Sequence, residues 1–223
     1  MQRKFLAKAI IVFGLIAGAI YVSFTLDKSQ TTKLSFMNKI YEFPSNYQIL
    51  RSDVKDNRSF SINAKYPDMK PLNSQEGDYK VRGWGNHVII LLIDPNQSVS
   101  TAQRLNNMCR RLSPLRSRGN QFGLQMFTAE GKAINPTTKP QGCVVETKSS
   151  KNAVATNEVY IDNTSNPSLM MICSEDREGY SPSCEMTFEE NGISYQISFS
   201  KKFMGEWEKI RKSSVALIRS FEK

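Results

Sequence analysis

Between Lys8 and Asp27 the chain carries eighteen consecutive residues, Ala9 to Leu26, without a charge. Arg3, Lys4 and Lys8 precede this run, and the first acid of the chain is Asp27. A hydrocarbon core about 30 Å thick takes roughly twenty apolar residues in a helix, so the run is expected to cross a membrane once. Cations on its leading side keep that end in the cytoplasm and send everything after Asp27 to the other side. A second reading is a cleaved signal peptide, because Ala17-Gly18-Ala19 has the small-x-small form of a cleavage site. The apolar run continues past that site through Ile20, Tyr21, Val22 and Phe24, which favours the anchor. No Cys precedes Cys109, which excludes a lipoprotein. The expected organisation is an anchor over 1–26, a polar stalk over 27–33 and one exported domain over 34–223.

The cysteines agree with export. Cys109, Cys143, Cys173 and Cys184 make an even number in a segment expected to face an oxidising compartment. Cys173 ends the apolar stretch from Ser168, Cys184 opens another, and the residues between them are turn formers. A bridge between Cys173 and Cys184 follows from that spacing and leaves Cys109 to pair with Cys143; four free thiols are the alternative. No C-x-x-C spacing points to zinc or thiol redox chemistry.

Short alternating runs make up most of the remainder. Leu34 to Met37 and Lys39 to Phe43 flank Asn38 as a strand pair or one bulged strand, stopped at Pro44, and Ser59 to Ala64 alternates again. Tyr66-Pro-Asp-Met-Lys-Pro71 is expected to be extended and exposed, since two prolines restrict it. Val88 to Ile93 reads as a strand buried on both faces. Strands are also expected at Phe122 to Phe127, Val144 to Glu146, Glu158 to Ile161 and Leu169 to Cys173, and Asn191-Gly192 should close a hairpin between Glu185–Glu189 and Ile193–Phe199. Ser100-Thr-Ala-Gln103 is a capping box before a helix carrying Leu105, Cys109 and Leu112, and Ser200 precedes an amphipathic helix over 201–223. Mostly strands with one internal and one terminal helix gives an α+β class with an antiparallel sheet.

Chemistry is sparse. The single His, His87, rules out multi-His zinc sites, and no phosphate loop, G-x-S-x-G or G-x-G-x-x-G motif is present. His87 and the pair Glu175-Asp176 read as structural and solvated residues. No cofactor or metal is implied. A carboxylate-based hydrolase is the reading that 21 acids leave open. The surface signal is basic: from Pro95 through Ala129 there is no acid, while Arg104, Arg110, Arg111, Arg116 and Arg118 fall within fifteen residues. Guanidinium groups bind carboxylates bidentately and tolerate interface burial, so these five are the candidate contact residues, against a solvated helix face as the plain alternative. Without the three N-terminal cations the balance is 27 bases to 21 acids, or +6. Spread over an exported domain this argues against nucleic acid and for an acidic protein partner, or an anionic envelope glycan or lipid.

Four phrases, Lys39-Ile-Tyr-Glu-Phe-Pro-Ser-Asn-Tyr47, Tyr66 to Pro71, Ser181-Pro-Ser-Cys184 and Ser198-Phe-Ser-Lys-Lys-Phe-Met-Gly-Glu-Trp207, in this order behind an anchor, resemble a loosely defined group of membrane-anchored periplasmic proteins of Gram-negative bacteria. Some of these are immunity proteins against type VI secretion effectors. The resemblance implies a periplasmic domain on a single inner-membrane span and a non-enzymatic binding role, an immunity protein facing a toxic effector. It carries over no catalytic residue. An accessory protein of an envelope secretion or assembly system is the second reading, and the hydrolase the third.

Overall fold

The computed structural model describes residues 31–51, 58–72, 84–112, 115–130, 145–146, 155–174 and 181–223. The expected anchor and most of the stalk lie outside them, as do the side chain of Cys109, all of Cys143 and the pair Glu175-Asp176. Among the described residues no helix is long and apolar enough to cross a membrane.

The described residues open on a hairpin, β1 (Thr31–Phe36) and β2 (Lys39–Pro44). Thr31 to Lys33, expected in the stalk from their polarity, pair with Pro44, Phe43 and Glu42 and belong to β1. Ten strands then form one sheet path: β3 (Ile49–Arg51), β4 (Ser59–Lys65), β6 (His87–Ile93), β13 (Ile193–Ser200), β12 (Ser183–Glu190), β11 (Leu169–Ser174), β10 (Ala155–Ile161), β8 (Leu124–Glu130), β7 (Leu115–Gln121) and β9 (Val145–Glu146), in that spatial order. The two-residue β5 (Lys70–Pro71) pairs with β4. All pairings are antiparallel except β7 with β9. Helix α1 (Thr101–Leu112) follows β6, and α2 (Trp207–Ser220) follows β13.

Alternation along the strands divides the sheet into two faces. Ile62, Ile90, Ile197, Met186 and Met171 lie in one cross-strand row, all buried. On this face Trp207, Ile210, Val215 and Ile218 of α2 join the main core. The opposite face carries a smaller cluster in which Leu105 of α1 meets Leu115, Phe127, Val159, Ile161 and Met170. The β1–β2 hairpin closes the main core with an aromatic group: Phe36 stands edge-on to Phe60 at 5.2 Å, and Phe43 lies 4.9 Å from Phe221. It also pairs with the tail, through Glu42 N–H to the Phe221 carbonyl at 2.8 Å and Lys223 N–H to the Ile40 carbonyl at 2.9 Å.

Several expectations take a definite form. The capping box is made in both directions, Gln103 N–H donating to Ser100 Oγ and Ser100 N–H to Gln103 Oε1, each at 3.2 Å. Asn191 and Gly192 both have positive φ, 53° and 72°, as a type I′ turn requires. The C-terminal helix starts later than its sequence stripe: Lys201–Glu206 is a 3-10 helix and α-helix begins at Trp207. Two lysines and Gly205 in that first stretch work against an α-helical N-terminus, where the dipole favours acids. One expectation is overturned. Tyr66 to Pro71 is not extended and exposed but folds as a turn that returns as β5, with Tyr66 and Met69 buried. Burying an aromatic ring and a thioether outweighs the extended bias of the prolines, and Tyr47 Oη donates to the Met69 carbonyl at 2.8 Å to close the turn.

Candidate functional site

The arginines of the basic segment are divided by the fold. Arg104 is half-buried on α1, its Nε donating to the Val99 carbonyl at 3.3 Å. Arg110 and Arg111 are in the last turn of α1, and their side chains lie outside the described residues. Arg116 and Arg118 are on β7, a strand with no clear apolar alternation in its sequence, Leu-Arg-Ser-Arg-Gly-Asn-Gln. Leu115 turns to the α1 side, so Arg116 turns to the other face, where only 7% of it is exposed. Arg118 is the extra residue of a bulge between Ser117 and Gly119; it is exposed and its Nε donates to Thr128 Oγ1 at 3.1 Å. Arg104 and Arg116 therefore serve opposite faces of the sheet.

The register extends this arrangement into a polar row. Arg116 stands opposite Thr128, and Thr128 opposite Glu158. Lys201 Nζ meets Glu158 Oε1 at 2.7 Å, both side chains about three-quarters buried, and Tyr160 Oη donates to Glu158 Oε2 at 2.8 Å. Burial, then the adjoining Glu158 carboxylate, pushes the Tyr160 phenol well above its ordinary value. At the β7–β8 turn Phe122 holds a left-handed backbone, φ 53°, and leaves 44% of its surface exposed. Its carbonyl accepts the Trp207 indole N–H at 3.0 Å, which ties this turn to the start of α2.

A second charged surface lies on α2 and the tail. Residues 201–223 contain seven Lys or Arg against three Glu. Glu190, at the β12–β13 turn, accepts from Arg211 at 3.2 Å and from Arg219 at 3.4 Å, and Arg211 also lies over the Phe188 ring. Two open grooves flank Arg219. One, about 510 Å³, is lined by Glu190, Trp207, Arg211, Lys212 and Val215. The other, about 550 Å³, lies between β2, the β12–β13 turn and the tail and is lined by Lys39, Tyr41, Asn191, Tyr195 and Lys223. Lys39 pairs with Glu222 at 2.7 Å and Lys223 with Glu42 at 3.8 Å. Burial, followed by Glu222, raises the Tyr41 phenol to about 12; burial, followed by Tyr41, raises Tyr195 to about 12. Both stay neutral donors at physiological pH. This second basic region was legible only as the polar side of a helix, because its partners Lys39, Asn191 and Glu190 come from distant strands.

His87 lines neither groove. It is 5% exposed, and burial lowers its pKa. Among the described residues no group of His, Cys, Asp and Glu is arranged to hold a metal ion. The arrangement offers ion pairing and hydrogen-bond donation on a rigid scaffold.

No protein-family model matches the chain, and no curated protein matches it in sequence. Solved structures do resemble it. Smlt3025, an immunity protein of the Stenotrophomonas maltophilia type IV secretion system, superposes with a TM-score of 0.57 at 13% identity, covering 87% of this chain and 94% of its own. FrpD, an iron-regulated outer membrane lipoprotein of Neisseria meningitidis, gives a TM-score of 0.47 at 15% identity over 86% of this chain and 92% of its own. At such identities the likeness to Smlt3025 is one of fold.

Proposed function

We propose that the chain is a non-enzymatic binding protein of the bacterial envelope that neutralises a toxic secreted effector by covering it. The observation that carries this reading is the shared fold, matched over nearly all of the described domain, with an immunity protein of a secretion system. The physical arrangement suits occlusion. An effector is blocked by a surface that keeps its shape, and an eleven-stranded sheet with a helix on each face keeps side chains in place without a moving lid. Interfaces of that kind bury about 1,600 Å² in total, and a basic face steers an acidic partner into register. The bridge between Cys173 and Cys184 supports export to an oxidising compartment, and the uncharged run from Ala9 to Leu26 supports tethering at the inner membrane, where an incoming effector would be met early.

The test pairs the chain with effectors encoded beside its own gene, each produced in the periplasm of a heterologous host. The expected result is restored growth for one of them and a stoichiometric complex of that pair on size exclusion. Growth arrest by every such effector, despite correctly folded and exported chain, would overturn the reading.

A further inference from the structure

Among the described residues β9 pairs only with Leu115 and Arg116 of β7, and every residue from Ser117 to Gly123 is exposed. The turn that ends this stretch is made by Phe122-Gly123, with φ of 53° and 80°. The β12–β13 turn has nearly the same angles, 53° and 72°, and is made by Asn191-Gly192. Asn tolerates the left-handed region through its short polar side chain, whereas a bulky ring there is strained. Full burial does not offset that strain: 44% of Phe122 stays exposed, its ring tilted beside Tyr160 at 6.5 Å. The backbone is held from outside the turn, by the Trp207 indole N–H on the Phe122 carbonyl at 3.0 Å. A strained, rigidly held and exposed aromatic has the properties of a contact residue. Four residues back, Arg118 is the extra residue of the β7 bulge, a device that re-aims a side chain. Its Nε donates to Thr128 Oγ1 at 3.1 Å, and among the described residues no carboxylate pairs with it. The sequence from Pro95 through Ala129 supplies no acid, which leaves the terminal nitrogens of this guanidinium for an outside acceptor.

From the strained, exposed Phe122 and the oriented Arg118 on the same strand edge, we infer that this turn engages a protein partner: the Phe122 ring enters an apolar pocket, and Arg118 meets a carboxylate on the rim of that pocket. A strand rise of about 3.3 Å per residue puts their Cα atoms no more than about 13 Å apart, the span of one pocket and its border. Aromatic and Arg side chains are the ones that carry most interface energy, and an anchor already held in place costs little to order on binding. The acid-free stretch around both residues selects a partner whose facing surface is acidic. Asn120 and Gln121, exposed between them, offer amide hydrogen bonds to a polypeptide. A single ring is too small an apolar area to hold a lipid surface. The proposal rests on the reading of the chain as an effector-neutralising protein and assigns the contact through which it acts.

The test uses the whole chain, purified in detergent, and as probe the neighbouring effector that wild type neutralises in the growth assay. Phe122→Asn installs the Asn-Gly pair that the β12–β13 turn already uses, so its thermal midpoint should stay within about 3 °C of wild type. Its affinity for the effector in a calorimetric titration should fall about thirtyfold, the loss of one dominant interface side chain, and it should protect poorly. Arg118→Ser should weaken binding about tenfold and flatten its dependence on salt, a dependence that Phe122→Asn keeps. Wild-type affinity in Phe122→Asn would overturn the contact, and so would a midpoint drop beyond about 3 °C, which would mark the ring as a packing residue. An unchanged salt dependence in Arg118→Ser would overturn the carboxylate rim. A wild-type dimer that Phe122→Asn turns into a monomer would put a second copy of the chain on the turn and overturn the outside partner. If wild type protects against no neighbouring effector, the immunity reading falls and the contact with it; if wild type and Phe122→Asn protect equally, the contact alone falls.

Discussion

Replacing Cys173 and Cys184 together by Ala probes the one staple that the described residues contain. The two stand directly opposite each other on β11 and β12, 11 residues apart in sequence. Closing a loop of that length in the unfolded chain removes conformational entropy equivalent to about 3 kcal/mol at 25 °C. The sulfurs are enclosed, 0% and 1% exposed at residue level, and lie 3.9 and 4.0 Å from Met204 Sδ, so the substitution also leaves a small unfilled volume beneath the 3-10 helix. The fold should survive, because β11 is still paired with β10 and β12 with β13. The expected loss is therefore about 3 kcal/mol or slightly more, which for a domain of this size lowers the thermal midpoint by roughly 6–12 °C. Urea unfolding gives a second readout. A cross-link acts by keeping the unfolded chain compact, so its removal should raise the slope of free energy against denaturant as well as lowering the midpoint. A midpoint shift below about 2 °C with no change in slope would refute the reasoning: the bridge would not be restraining the unfolded chain.

Three further outcomes are expected. Arg118→Ser should leave stability within about 0.5 kcal/mol, whereas Arg116→Ser, at 7% exposure and in line with Thr128 and Glu158, should cost about 2–4 kcal/mol by urea unfolding; a combined arginine variant would thus confuse folding with binding. Gly205→Ala should stabilise by about 0.5 kcal/mol in the same assay, since the added Cβ meets Phe122 Cε1 at an ordinary 3.6 Å and Gly205 does not occupy the left-handed region. Burial depresses the proton affinity of His87 in the folded state, so the unfolded chain takes up that proton first: stability should decline as pH falls below 6.5, the ordinary imidazole value, by at most about 1.4 kcal/mol per pH unit, and show no contribution from this group above it. His87→Asn should flatten that limb, and an unchanged slope in midpoint-against-pH measurements would remove His87 as its cause.

What the chain alone determined were features set by a few adjacent residues. The Ser100–Gln103 capping box, the Asn191-Gly192 turn and the apolar alternation of β4, β12 and β13 depend on local geometry and a two-residue period, so they were readable directly. The Cys173–Cys184 bridge was readable for the same reason: it spans one hairpin. Other features depended on distant partners. Met37-Asn38 and Phe122-Gly123 also turn with positive φ at both residues, but neither looks like Asn-Gly, and packing of the strands on either side decides them. β7 carries mostly polar residues and becomes a strand because β8 offers it a ladder; that ladder sends Arg116 inward and Arg118 outward, which no charge count along the chain could divide. The prolines of Tyr66 to Pro71 spoke for exposure, yet Tyr66 and Met69 had a core to enter. The turn at Phe122 is tied to Trp207, 85 positions away. Charge and hydrogen-bond capacity are properties of single residues, but a site requires several at fixed distances, and only the folded sheet, through its register, sets Arg118 against Thr128 and the Phe122 turn against the start of α2.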